Sequence, residues 1–196
     1  TARCFNDDRT VYVMTIPHYS WAIGTGLCLT IFSQGEPIMA QASRPIDEMR
    51  GDCSQYALDV RKELAAMEGT PKKLTALTGR GIAPEMSPIG QSLLVVFHHI
   101  DKIVLTATPK HSSPYAGLLA FSVPADGLYR ISAGSAVWIE VMDGRARQEP
   151  TQFEMQTGCT TLFKTIQYRL KKGATYWIEL SGSTLTATIF LSSETR

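Results

Sequence analysis

The chain has 196 residues, a length that suits one domain with room for a short extension. Hydrophobic residues make up 44% and charged residues 19%, ordinary proportions for a folded globular chain. The formal net charge of +1 provides no field to hold a polyanion, so nucleic acid and acidic membrane surfaces are not expected as partners.

Residues 1–13 precede the first Met, Met14, and are expected to carry no structural role. An apolar run follows at residues 21–32 (WAIGTGLCLTIF). It is shorter than the ~20 residues a spanning helix needs, and it has the length of the apolar region of a secretory signal. Ala40-Gln41-Ala42 supplies small residues at the spacing a signal peptidase reads. Residues 14–42 therefore read as a signal peptide, with cleavage before Ser43. Against this, no Lys or Arg lies between Met14 and Trp21, and Glu36 stands in a long polar stretch; the competing reading is a buried apolar element. Export predicts a periplasmic or secreted protein with no stable membrane span in the mature chain. Cys4 and Cys28 would be removed, leaving Cys53 and Cys159 as a pair in an oxidising compartment, where a disulfide is expected. A cytosolic chain would instead keep two separate thiols.

Residues 43–86 are read as a helix followed by a linker. Asp52 or Ser54 can cap a helix that runs to Met67, with Tyr56, Ala57, Val60, Leu64, Ala65 and Met67 forming one apolar stripe. Gly69 and Pro71 end it. Residues 70–91, rich in Thr, Gly and Pro, read as an extended linker.

The remainder, residues 87–196, has the short period of an antiparallel β-sandwich. About eight strands are expected. They include SLLVVFHH, a second strand at residues 100–108, GLLAFSVP, LYRISA, AVWIEVMD, LFKTIQYRLKKG, ATYWIELSG and STLTATIFLS. Asp126-Gly127 is expected to close a hairpin, and Asp143-Gly144 to form the next turn. Alternation sets Val137, Ile139 and Val141 on one face against Trp138 and Glu140 on the other. Likewise Tyr176, Ile178 and Leu180 oppose Trp177 and Glu179.

Several motifs carry a resemblance. Pro124-Ala125-Asp126-Gly127-Leu128-Tyr129-Arg130, Trp138-Ile139-Glu140-Val141, Gly158-Cys159 and Tyr176-Trp177-Ile178-Glu179-Leu180 follow a helix start with Cys53, Tyr56, Asp59 and Val60. Over roughly residues 53–191 the chain resembles a family of uncharacterised exported proteobacterial β-sandwich proteins. More loosely, it is similar to jelly-roll accessory domains of secreted enzymes, of the pre-peptidase C-terminal type. The resemblance implies an all-β, jelly-roll-like sandwich with one amino-terminal amphipathic helix. It implies secretion or tethering rather than catalysis, and it brings no catalytic residues and no cofactor with it.

Three constellations could carry chemistry. His98, His99 and Asp101, with His111, offer the residue types of a metal-dependent enzyme, but neighbouring residues on a strand point to opposite faces. Trp138 and Trp177, flanked by Glu140 and Glu179, would suit a carbohydrate platform if both rings lay open; otherwise the helix or linker covers them. The two glutamates read as solvated strand positions, and Lys164, Arg169, Lys171 and Lys172 as a solvated basic cluster near a turn. The resulting expectation is a non-catalytic binding or accessory module whose partner is a glycan or an envelope protein.

Overall fold

The structure, a computed structural model, describes residues 49–81, 84–109 and 112–194. The signal segment, Cys4, Cys28 and His111 lie outside the described residues. All described residues fall within the compact unit Ala40–Arg196.

Period-two alternation produces two sheets. The strands are β1 Lys72–Thr75, β2 Ser92–Val96, β3 His98–His99, β4 Tyr115–Ser122, β5 Gly127–Ala133, β6 Trp138–Asp143, β7 Ala146–Arg147, β8 Pro150–Met155, β9 Lys164–Leu170, β10 Thr175–Gly182 and β11 Thr186–Ser193. Six form one sheet in the order β1-β2-β11-β5-β9-β8, and five form the other in the order β3-β4-β10-β6-β7. All pairings are antiparallel except β1 with β2. One hydrophobic cluster joins both sheets. Leu93, Ile131, Ile166 and Ile189 enter it from the first, and Phe121, Ile139, Ile178 and Leu180 from the second. Val137, Ile139, Val141, Tyr176, Ile178 and Leu180, which alternation sets on one face of their strands, all belong to this cluster.

The Asp126-Gly127 hairpin does not form. β4 lies in the five-stranded sheet and β5 in the six-stranded one, so the connection crosses between sheets. Gly127 does not take a positive φ, and the Asp126 carboxylate instead accepts a hydrogen bond from the Lys172 amide at 2.7 Å. Asp143-Gly144 does turn the chain from β6 into β7, with Gly144 at φ 53°.

Residues 100–108 are not a strand. They form a short 3-10 turn, Ile100–Lys102, followed by a loop. Ile103, Leu105 and Ala107 still turn one apolar side to the protein, against Leu118, Ala120, Met142 and Trp177 on the outer face of the five-stranded sheet.

The amino-terminal helix is shorter than its apolar stripe. Asp52 caps only a 3-10 turn, Cys53–Gln55, and the regular helix α1 is Arg61–Glu68. The break has a definite cause. The Ala57 and Leu58 amides donate to Glu154 Oε2 of β8, at 2.9 and 3.2 Å, instead of to carbonyls one turn back. The linker expected at residues 70–91 likewise contains β1, and Leu77 and Met86 bridge to Leu118 and Ala120. The boundary at residue 86 therefore does not separate a linker from the sheets.

Both outer faces are covered, each by a different segment. The turn and α1 lie on the six-stranded sheet, where Cys53 and Cys159 form a disulfide beside Tyr56, Val60 and Leu162. Buried Glu63 of α1 accepts a hydrogen bond from Ser192 Oγ of β11 at 2.6 Å. Residues 77–80 and 103–107 lie on the five-stranded sheet.

Candidate functional site

The two sheets differ in width at one edge. β8 extends the six-stranded sheet, while the facing edge ends in β7, a strand of two residues. The inward side chains of β8 and of the start of β9 thus have no full strand opposite them. Register places Phe153 beside Ile166 and Met155 beside Lys164. A cleft of about 620 Å³ opens there, walled by Phe153, Met155 and Lys164 on one side and by Trp138, Glu140 and Arg147 on the other. Phe153 is 40% exposed, an unusual state for a strand phenylalanine on the core side.

The charges in the cleft are unequal. Arg147 Nε lies 2.7 Å from Glu140 Oε2, and the carboxylate is buried, so these two groups offset one another. Lys164 is a second cation, and among the described residues its amine makes no hydrogen bond. Burial pushes its pKa down to about 8, against the opposing pull of Glu140. Tyr168, at the inner end of the cleft, has its hydroxyl pushed above the ordinary range by burial and then by the Glu140 charge, so it stays protonated.

Of the sequence-derived candidates, Trp138 and Glu140 belong to this cleft, while Trp177 and Glu179 do not. Trp177 is 6% exposed, packed on Leu118, Ala120 and Met142 with the Arg80 guanidinium 5.7 Å from its ring centre. Glu179 accepts hydrogen bonds from the Thr106 and Ala107 amides, each at 2.8 Å, and lies 2.7 Å from Arg80. No two-ring platform is presented, because the loops cover one ring. The helix covers neither, since it packs on the opposite sheet. The expectation that Glu140 and Glu179 are solvated is likewise reversed: both are buried.

The histidines do not converge. His98 Nε2 is 2.8 Å from the Ala76 carbonyl, whereas His99 is exposed and lies 3.5 Å from Asp101. Among the described residues no group of three His, Cys, Asp or Glu side chains could hold a metal.

Arg147, Phe153 and Lys164 are site residues that no sequence motif marks. Lys164 did leave a signal: it shares strand parity with Ile166 and Tyr168, so a cation was written onto a core-facing position. Arg169, Lys171 and Lys172 are exposed, as a solvated cluster should be, and Lys164 is separated from them by this parity.

A larger cavity of about 710 Å³ lies where α1 meets β5 and the end of β11. Its acids are each paired, Asp59 with Arg61 and both Glu63 and Glu194 with Arg130, and Lys62 donates to the Ser193 carbonyl at 3.2 Å. An ion-paired crevice of this kind offers a ligand little that its own groups do not already satisfy.

Compared with known proteins, the chain matches no family model, no curated protein and no solved structure. No helix among the described residues is long and apolar enough to cross a membrane.

Proposed function

We propose that this chain is a non-catalytic binding module of an exported protein, and that the cleft between β6 and β8 is its ligand site. The observation that carries the reading is the open cleft itself: an apolar cavity of ligand size, half-buried Trp138 on one wall and exposed Phe153 on the other. Such a site favours a small, largely apolar ligand over a long glycan, because its charged groups are confined to Glu140, Arg147 and Lys164 in an otherwise mostly apolar lining.

Export and a periplasmic or secreted location draw support from the Cys53–Cys159 disulfide, which persists in oxidising compartments. A jelly-roll character is supported by successive strands passing from sheet to sheet, β4 to β5 to β6 and β9 to β10 to β11. Both readings agree with the resemblance to exported proteobacterial sandwich proteins and accessory domains. The carbohydrate reading rests on Trp138 alone, and the metal-enzyme reading on His98, His99 and His111 draws no support from the placement of the first two.

The test is binding of a panel of medium-chain alcohols, aromatic alcohols and soluble cell-wall glycans, followed by calorimetry. Binding of an apolar probe that is lost in both Trp138→Ala and Phe153→Ala is expected. Silence across the panel, or binding that both variants keep, would remove the cleft as the site.

A further inference from the structure

The cleft contains one charge that packing does not explain. A Lys at a core-facing strand position loses hydration, and Met or Leu would fill the same space without that cost. Groups on β6, β7, β8 and β9 face it. β6 contributes Glu140, already engaged by Arg147 of β7. β9 contributes Tyr168, whose hydroxyl stays protonated, and Glu149 acts on that hydroxyl from the loop before β8. β8 contributes Phe153 and Met155, which are apolar. The sum within the cleft is one cation lacking a dedicated anion.

We infer that the ligand is an apolar carboxylic acid, its chain or ring lying along Trp138 and Phe153 and its carboxylate meeting the Lys164 amine. This rests on the reading of the cleft as the ligand site and adds the charge and polarity of what enters it. The geometry supplies a direction: the apolar walls accept the body of the acid, and Lys164 lies beside Met155 on the floor formed by β8 and β9. A carboxylate there gains a charge-assisted hydrogen bond in a partly dry site. Glu140 opposes it only in part, because that carboxylate is shared between Arg147 and Lys164. A neutral alcohol gains the apolar contacts alone.

The depressed amine gives the interaction a pH signature. Lys164 is mostly protonated below about 8 and mostly neutral above it. Carboxylate affinity is therefore level below that value and falls above it, by about tenfold per pH unit until the pKa of the bound amine is reached. Octanol binding carries no such dependence.

The experiment compares octanoate with octanol by titration calorimetry from pH 6.5 to 9.5, on the unaltered protein and on Lys164→Met and Lys164→Arg. Expected are binding of octanoate at least tenfold tighter than octanol at pH 7, loss of that preference in Lys164→Met, and its retention within a few-fold in Lys164→Arg. Equal affinity for the two probes, or a preference unchanged in Lys164→Met, overturns the inference while leaving the cleft as an apolar site. Absence of binding by both probes overturns the inference and the cleft together. If Lys164→Met fails to fold, the pH profile of the unaltered protein decides: a flat octanoate affinity through pH 9.5 overturns the inference.

Discussion

Glu140 and Glu179 stand directly opposite each other on β6 and β10, both buried, and each is held by a different arginine. Like charges at facing positions of a sheet destabilise it, more so when dry. Arg147 takes Glu140 at the cleft edge, and Arg80 takes Glu179 under the loops. This pair divides the outer face of the five-stranded sheet. On one side it opens toward the cleft, and on the other Arg80 reaches across to the Gly144 carbonyl and fastens the cover over Trp177.

Replacing Arg80 with Met should therefore leave Glu179 buried with an uncompensated charge. A loss of about 3 kcal/mol is expected in urea unfolding, together with greater exposure of Trp177. Adding Glu179→Gln to Arg80→Met should recover much of the loss, because the carboxylate that needed a partner is gone. Additive losses in the double variant would show that the pair is not coupled.

The disulfide ties the segment ahead of α1 to the turn before β9, across a sequence separation of 106 residues. Around it, the Tyr56 hydroxyl donates to the Leu162 carbonyl at 2.7 Å, and the Gly51 amide donates to Gln156 Oε1 at 2.8 Å. Replacing both cysteines with Ala should lower stability by about 4–5 kcal/mol in the loop-entropy account. Far-UV circular dichroism below the unfolding transition should still report the sheets, since their core does not include the bridge. A midpoint that does not move between oxidised and reduced protein would contradict this.

Lys164 should make stability depend on pH in a defined window. Its pKa in the fold is about 8, below the unfolded value of 10.5, so the unfolded chain binds more protons between the two. Stability contributed at this position therefore rises as pH passes from about 8 to 10.5 and is level on either side. Lys164→Met should be more stable than the native chain at pH 7, by on the order of 1–2 kcal/mol, with the gap closing toward pH 10.5. A variant that is less stable at pH 7 would mean the amine is well partnered.

Much of the fold was legible because alternation records which side chains face an apolar surface. Val137, Ile139 and Val141 faced the core as their spacing required. Alternation does not record which strand pairs with which. Residues 100–108 show why: their apolar side chains alternate as in a strand, yet the Thr106 and Ala107 amides are satisfied by the Glu179 carboxylate rather than by a ladder. Asp126-Gly127 misled for the same reason, since a turn dipeptide does not state whether the chain returns to its own sheet or crosses to the other. β8 was hidden because its outward Glu154 serves the Ala57 and Leu58 amides, so a buried position carries an acid. At the site, Trp138 and Glu140 could be named from pattern. The cleft beside them arises from unequal sheet widths, which no local stretch of sequence contains.

Placement of the ligand is tested most directly by amide and indole chemical shifts of the labelled protein during octanoate addition. The account predicts a saturable shift of the Trp138 indole with changes concentrated on β6, β8 and the first half of β9, while the Trp177 indole stays fixed. Shifts centred on Trp177 and Arg80, or around Arg61 and Arg130 beside α1, would contradict it.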